Sequence, residues 1–188
     1  MRLTYEEKNT PAVSARFWQE ASYKGHKIKL MQDESAESPD SWEDDAAFLV
    51  GYHRDFTVER DDIITKEDLQ EYFGENKKIP QLKEYHIFGL EAYIHSGVVL
   101  ALSHEGNFPD RQWDVSQLGA VLISKKEARS RKKAKELVQA LIETWNQYLS
   151  GDIWGYIIED KNGEVVGSCW GFYGIEDAER EALQAISG

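Results

Sequence analysis

The feature that most constrains this chain is an apolar strand followed by a long amphipathic helix. Residues 118–123 form a continuous apolar run, which predicts a buried strand. Downstream, apolar residues recur at intervals of three and four, as they do along one face of a helix. They are Ala134, Leu137, Val138, Leu141, Ile142, Trp145, Tyr148 and Leu149. Ser124 and Glu127 have capping-box spacing, so the helix is predicted over residues 124–149.

A hairpin and a last helix follow the long helix. Residues 153–158 and 165–170 are predicted strands, joined by a turn at Asn162 and Gly163. The last helix is predicted over residues 175–186. Together these elements make residues 117–188 a predicted strand–helix–hairpin–helix frame, onto which the upstream chain is expected to pack.

The upstream chain is predicted to be rich in strands. Residues 1–25 are the exception, because Thr10 and Pro11 are typical of a helix start and predict an N-terminal helical extension. Residues 26–116 form a predicted strand-rich half that contains an acidic loop. Its strands are expected at residues 26–31, 46–53, 87–94 and 98–102, with the first two paired antiparallel.

One short helix interrupts these strands. It is predicted to begin after the cap Thr65 and to end by Gly74, with Leu69, Tyr72 and Phe73 on its apolar face. The whole chain of 188 residues is therefore predicted to be a single α+β domain. Its architecture would be a mainly antiparallel sheet packed against one long amphipathic helix and shorter helices.

The acidic residues are concentrated in one segment. The chain has a formal net charge of −12, and residues 33–75 alone contain three basic and fifteen acidic residues. A negative field repels phosphate, which disfavours direct binding to nucleic acid. The basic run at residues 125–135 is the one place where a local nucleic-acid surface is conceivable, and a solvated helix end is the alternative.

The expected compartment is the cytoplasm. A single cysteine, Cys169, excludes an intramolecular disulfide and fits a reducing environment. No stretch resembles a signal peptide or a membrane span, so no membrane partner is expected. Self-association is left open.

The first candidate site joins His53, His95 and Asp114. Both histidines are predicted at strand ends, where side chains can converge, and Ser96 or Ser116 would supply a hydroxyl. An imidazole oriented by a carboxylate can act as a general base, and both groups can bind a divalent metal. The alternative is that the histidines only hydrogen-bond the backbone. No cofactor motif occurs, so no cofactor is predicted, and a divalent metal stays open.

The second candidate site is the acidic stretch at residues 33–45. An array of exposed carboxylates can imitate the charge spacing of DNA and bind a protein with a basic surface. Calcium or magnesium binding is a second interpretation, although the spacing lacks the regularity of a calcium loop. A solvated loop that only favours solubility is a third. The predicted partner-binding residues are Asp33, Glu37, Asp40, Trp42, Glu43, Asp44 and Asp45.

Several short stretches give the chain a recognisable pattern. They are residues 33–42, His53, and residues 93–97, 113–119, 148–156 and 168–174, which include an acidic–proline–tryptophan stretch, a His-Ser-Gly turn and a Trp-Asp loop. In these stretches the chain resembles a family of small uncharacterised proteins of bacteriophages and mobile elements. The resemblance implies a phage context inside a host bacterial cell, and it implies no particular chemistry.

Two functions follow from these residues. The first is a phage or mobile-element accessory protein that binds a host or defence protein through its acidic surface, as a DNA mimic or an anti-defence inhibitor. The second is a small metal-dependent or histidine-assisted hydrolase that uses His53, His95 and Asp114. The sequence favours the first, without excluding an enzyme.

Overall fold

The chain is organised as two compact units. The computed structural model describes residues 6–9, 17–42, 45–75, 77–109 and 114–187, and gives the backbone alone for residues 6–9, 17, 18 and 42. The terminal unit joins Met1–Glu37 with Ser150–Gly188, and the central unit is Ser38–Leu149. The sequence predicts a single domain, whereas in the structure the residue contacts fall into two groups, one within each of these units.

Ten strands and three α-helices lie in the described part of the chain. The strands form two antiparallel five-stranded sheets, so the predicted α+β class is confirmed. In chain order the elements are β1 (Glu6–Asn9), β2 (Phe17–Tyr23), β3 (His26–Gln32), β4 (Ala47–His53), β5 (Phe56–Val58), α1 (Lys66–Gly74), β6 (Tyr85–Ile94), β7 (Val98–Leu102), β8 (Val115–Ser124), α2 (Arg131–Ser150), β9 (Ile153–Glu159), β10 (Val165–Tyr173) and α3 (Ile175–Ser187).

The terminal unit is a sheet with one helix on it. Its strand order is β1-β2-β3-β9-β10, and α3 covers one face. Ile28 and Leu30 of β3 are buried against Ala178 and Ala182 of α3, whereas Lys27 and Lys29 between them are not buried. This alternation is the pattern of a strand with one covered face.

The predicted N-terminal helix is wrong where the structure describes it. Residues 10–16 lie outside the described part, but residues 17–23 are β2, paired with β3. The reason is the turn: Lys24 has φ 48° and Gly25 has φ 77°. Two consecutive left-handed residues form the tight turn of a two-residue hairpin. Gly25 therefore reverses a strand rather than ending a helix.

The central unit is a sheet covered on both faces. Its strand order is β5-β4-β8-β6-β7. On one face α2 buries Ala134, Val138, Ile142 and Trp145, so the predicted apolar stripe is confirmed. On the other face α1 and the 3₁₀ turn Pro80–Glu84 cover a second apolar cluster. The central strand β8 consequently has four consecutive buried residues, 120–123.

Two expectations about the frame are corrected by the structure. Helix α2 begins at Arg131 rather than residue 124, because Ser124 ends β8 and the Oγ of Ser130 accepts the N–H of Lys133 at 3.2 Å. The frame is also divided between the units, since β9 hydrogen-bonds β3 and β8 hydrogen-bonds β4 and β6. For the same reason, the predicted pairing of the strands at residues 26–31 and 46–53 is wrong.

Candidate functional site

The structure brings two of the three predicted catalytic residues together. His95 follows β6 in the turn to β7, and Asp114 precedes β8. His95 Nδ1 lies 3.7 Å from Asp114 Oδ2, and the two side chains are 68% and 30% exposed. This distance gives a weak ion pair when the imidazole is protonated, and it exceeds that of a hydrogen bond.

His53 points to the other face of the same sheet. In β4, Leu49 packs on the α2 side and Val50 on the α1 side, so alternation places His53 on the α2 side. In β6, Ala92 packs on the α2 side, so Tyr93 faces the α1 side, and its ring centroid lies 6.2 Å from that of His95. His53, His95 and Asp114 therefore do not converge.

His53 has local partners instead. Its Nδ1 accepts the backbone N–H of Asp55 at 3.2 Å and lies 3.6 Å from the carboxylate of the same residue. Among the described residues, no group of three His, Cys, Asp or Glu side chains is placed to hold a metal ion. Ser116 is paired with Ala92 and so shares the α2 face, away from the side of Tyr93.

A buried carboxylate lies on the His95 side of β6. Glu91 is 1% exposed and accepts the backbone N–H groups of His104 at 2.9 Å and Gly106 at 3.1 Å. Phe108 of the same loop stacks on Tyr93, with centroids 5.5 Å apart. Glu91 thereby fastens the loop at residues 103–109 to the sheet. Its sequence signal was a single acid inside an otherwise apolar strand.

The described carboxylates of the acidic stretch have local roles. Asp33 accepts both the N–H and the Oγ–H of Ser35 at 3.0 Å, in the terminal unit. In the central unit Asp40 accepts the hydroxyl of Ser38, and Asp45 pairs with Arg60. Glu37 is exposed and belongs to the terminal unit. The remaining predicted residues, Glu43, Asp44 and the side chain of Trp42, lie outside the described part.

A groove beside α1 is the site that sequence reasoning missed. We call it the α1 groove, and its volume is about 250 Å³. Phe73 in its wall is 51% exposed, although the sequence predicts it on the inward face with Tyr72. Tyr72 packs against the apolar cluster beneath α1, whereas the ring of Phe73, with its centroid 5.1 Å from that of Tyr72, remains half exposed. The lining residues are Tyr52, Lys66, Leu69, Gln70, Phe73, Gln117, Leu118 and Gly119.

Tyr52, in one wall of the α1 groove, has acidic neighbours. The Tyr52 hydroxyl donates to the Ile64 carbonyl at 3.1 Å and lies 3.5 Å from Asp61 Oδ1. Burial, and then the charges of Asp61, Glu59 and Glu67, raise the pKa of Tyr52 to about 12. Burial is thus the first cause of this shift in pKa, and Asp61 is the carboxylate that acts most on the hydroxyl.

The segment around the groove is acidic throughout. Residues 59–75 contain seven acidic residues and two basic ones. Of the two cations, Arg60 is already paired with Asp45 and Asp62, which leaves the exposed Lys66. Asp68 forms the capping box of α1 with Thr65, whose backbone N–H lowers the pKa of that carboxyl. This segment therefore carries an excess of acidic residues, although Lys66 itself lines the groove and Lys77 pairs with Glu71 at 2.6 Å.

Comparison with known proteins adds no relative. No protein-family model, curated protein or solved structure matches this chain. Within the described residues, each helix is too short or too polar to cross a membrane.

Proposed function

We propose that this protein binds a partner protein through the α1 groove and the carboxylates that surround it. The observation that carries the proposal is the exposed side chain of Phe73, which lines a groove in a segment with an excess of acidic residues. The partner would present a basic segment with one apolar side chain. The sequence predicts an acidic binding surface at residues 33–45, whereas we propose one at residues 59–75.

The carboxylates and the apolar residues of this surface contribute to binding in different ways. Exposed carboxylates such as Glu59 and Asp61 attract a basic partner over a distance of about 8 Å at physiological salt, and contribute mainly to the association rate. Phe73, which is 51% exposed, offers apolar area that a side chain of the partner can bury, whereas Leu69 in the lining is itself a core residue. Aromatic residues in such pockets commonly supply most of an interface's binding energy.

The kind of partner follows from the resemblance to phage and mobile-element proteins. We propose that it is a host or defence protein whose basic surface normally meets DNA. The alternative, a histidine-assisted hydrolase, would use the His95–Asp114 pair, whose nearest atoms are 3.7 Å apart and so beyond hydrogen-bond distance. The third predicted member, His53, lies on the other face of the sheet, so the binding function is the better supported.

The binding test uses a defined probe, a short helical peptide with one central leucine flanked by arginines. Binding to the full chain, followed by fluorescence anisotropy, is expected to weaken as salt is raised. Neutralising Glu59, Asp61 and Glu67 with Gln, Asn and Gln should weaken it about tenfold, at roughly 0.5 kcal/mol per exposed charge. The matched control neutralises the exposed Glu34, Glu143 and Glu164 with Gln and should leave binding near the wild-type value.

Phe73→Ala tests the apolar half of the surface. It should weaken peptide binding without changing the salt dependence, whereas Val99→Ala, at another exposed apolar position, should not. Equal losses in both charge-neutralised variants would show only a general effect of net charge. That result, or full binding by Phe73→Ala, would refute the proposed site.

A further inference from the structure

We propose that Asn162 is a site of spontaneous deamidation whose rate is restrained by Asp160. Asn162 and Gly163 lie in the turn between β9 and β10, in the terminal unit, so the site is independent of the α1 groove. Of the five asparagines in the chain, Asn162 alone is followed by a glycine. Both residues of the pair are exposed to water, which the reaction consumes.

The reaction joins the side chain of Asn162 to the backbone of the next residue. The backbone nitrogen of Gly163 gives its proton to water or hydroxide and bonds to Cγ of Asn162, and the Cγ–Nδ2 bond breaks to release ammonia. Water then opens the cyclic imide at either carbonyl, which leaves aspartate or isoaspartate at this position. Glycine favours the first step because it has no side chain to hinder the approach and its backbone is conformationally permissive.

Asp160 holds both of the reacting groups. The Gly163 N–H donates to the Asp160 carbonyl oxygen at 3.0 Å, and Asn162 Nδ2 donates to Asp160 Oδ2 at the same distance. The attacking nitrogen cannot lose its proton while that proton is shared with Asp160, and the amide cannot reorient while the carboxylate holds it. The folded turn therefore slows the reaction to which its sequence is suited.

The turn in its own backbone fixes Asp160 in this role. Asp160 Oδ1 accepts the backbone N–H groups of Asn162 at 2.8 Å and Glu164 at 3.0 Å. The hydrogen bond from the Glu164 N–H is the first cause that lowers the pKa of Asp160, so the carboxylate is ionised at neutral pH. Gly163, with φ +82°, has the left-handed conformation that closes such a turn.

Deamidation would change the turn that restrains it. A carboxylate in place of the Asn162 amide has no N–H to donate, and one of its oxygens would replace Nδ2, which lies 3.0 Å from Asp160 Oδ2. Two negative oxygens at that distance repel each other. Isoaspartate also adds a carbon atom to the backbone, which disturbs the pairing of Glu159 with Val165. The modification would therefore loosen the hairpin of β9 and β10.

The chain contains an internal reference for the reaction. The amide of Asn146 is also hydrogen-bonded at both ends, to the N–H and the carbonyl of Leu100. It is followed by Gln147, whose side chain hinders the approach of the backbone nitrogen. Asn146 should therefore stay intact in the folded and in the unfolded chain, under conditions in which Asn162 reacts.

Incubation of the full chain at mildly alkaline pH, followed by peptide mapping and mass spectrometry, tests the proposal. Asp160→Ala should raise the rate at Asn162 in the folded chain at least about tenfold, because a hydrogen bond to a charged group no longer has to be broken. Glu164→Ala is the matched control. It removes an exposed carboxylate from the same turn but keeps the N–H that Asp160 accepts, and it should react like the wild type.

A comparison of the wild type in buffer and in urea does not depend on a variant folding. Deamidation at Asn162 should be at least about tenfold faster in urea, where both hydrogen bonds to Asp160 are lost. Equal rates in buffer and in urea would overturn the proposal, as would an Asn162 that stays intact in urea. A wild-type rate in Asp160→Ala, with the amides of β9 and β10 still protected from hydrogen exchange, would overturn it too.

Discussion

The two sheets of this chain are equal in strand number and differ in how they are covered. The central sheet has α2 on one face and α1 on the other, and four consecutive residues of β8 are buried. The terminal sheet has α3 on one face, and β3 alternates between buried and unburied residues. The difference shows that the sequence pattern of a strand depends on how many faces of its sheet are covered by helices. A strand covered on both faces tolerates few polar side chains.

The edges of the two sheets differ as well. In the central unit Asn146 occupies both backbone groups of Leu100 on β7. In the terminal unit β10 carries no charged residue. The binding surface that we propose beside α1 belongs to the central unit.

The largest expected effect comes from consecutive substitutions in β8. Leu122 and Ile123 are both fully buried, in the clusters on the α1 and α2 faces respectively. Each change to alanine should lower the free energy of unfolding by about 2–5 kcal/mol, because each leaves a cavity. In β3, Leu30→Ala should cost a similar amount, whereas Lys29→Ala should cost less than about 1 kcal/mol, since it removes a partly exposed ion pair.

Urea unfolding measures these four variants, and it is followed by amide signals within each unit because the chain divides into two compact units. A loss for Lys29→Ala as large as that for Leu30→Ala would show that the terminal sheet is also covered on its second face. A small loss in the free energy of unfolding for either β8 variant would show that the central sheet is not tightly covered on that face.

The elements that were predicted correctly have local signals. The stripe of α2, the capping box of α1 and the turn at Gly163, whose φ is +82°, each lie within a few residues of chain. The errors concern competing or distant signals. Ser124 and Glu127 imitate a cap that Ser130 provides, and no local pattern shows that β3 pairs with β9, more than a hundred residues away.

The candidate site was predictable to a similar extent. The sequence predicts His95 and Asp114 near strand ends, and the two side chains do lie close together. The reason is that the turn after β6 and the start of β8 lie at the same end of these two paired strands. His53 is separated from His95 because side chains alternate along β4 and His53 falls on the α2 face. No sequence motif fixes which residues of a strand point to which face. The groove was missed because Phe73 was assigned inward, and its exposure is decided by packing of Leu69 and Tyr72 beneath α1.

The next effect in size concerns the buried carboxylate of the central unit. Glu91→Ala should lower the free energy of unfolding by about 3 kcal/mol, because the N–H groups of His104 and Gly106 lose their acceptor. Glu105→Ala, an exposed residue in the same loop, should cost far less. Urea unfolding measures both. Equal small losses would mean that water replaces the carboxylate at the two N–H groups.

Loss of the seal on β7 should have a moderate effect. Asn146→Ala removes two hydrogen bonds to Leu100 and should cost about 1–2 kcal/mol. Gln139→Ala, an exposed position on the same helix, should cost nothing measurable. Amide exchange at Leu100 should also accelerate in Asn146→Ala alone. An unchanged exchange rate would show that the edge is protected by other means, and the contrast with β10 would be lost.

The smallest expected effect is a titration that tests the field of the α1 groove. Since burial and the charges of Asp61, Glu59 and Glu67 raise the pKa of Tyr52 to about 12, Asp61→Asn should lower it. Glu75→Gln, which neutralises an exposed carboxylate at the other end of α1, should leave it unchanged. Near-ultraviolet absorbance, with Tyr52→Phe as the reference, assigns the phenolate signal.

The same residue makes folding stability depend on pH in one direction. A raised pKa means that the folded chain holds the phenolic proton more tightly than the unfolded chain, whose value stays near 10. The contribution of Tyr52 is therefore complete below pH 10 and is lost as the pH rises from about 10 to about 12. Tyr52→Phe should flatten the stability curve in that range. A curve unchanged by the substitution would show that neither burial nor the carboxylates raise the pKa of Tyr52, and the electrostatic half of the proposed surface would lose its support.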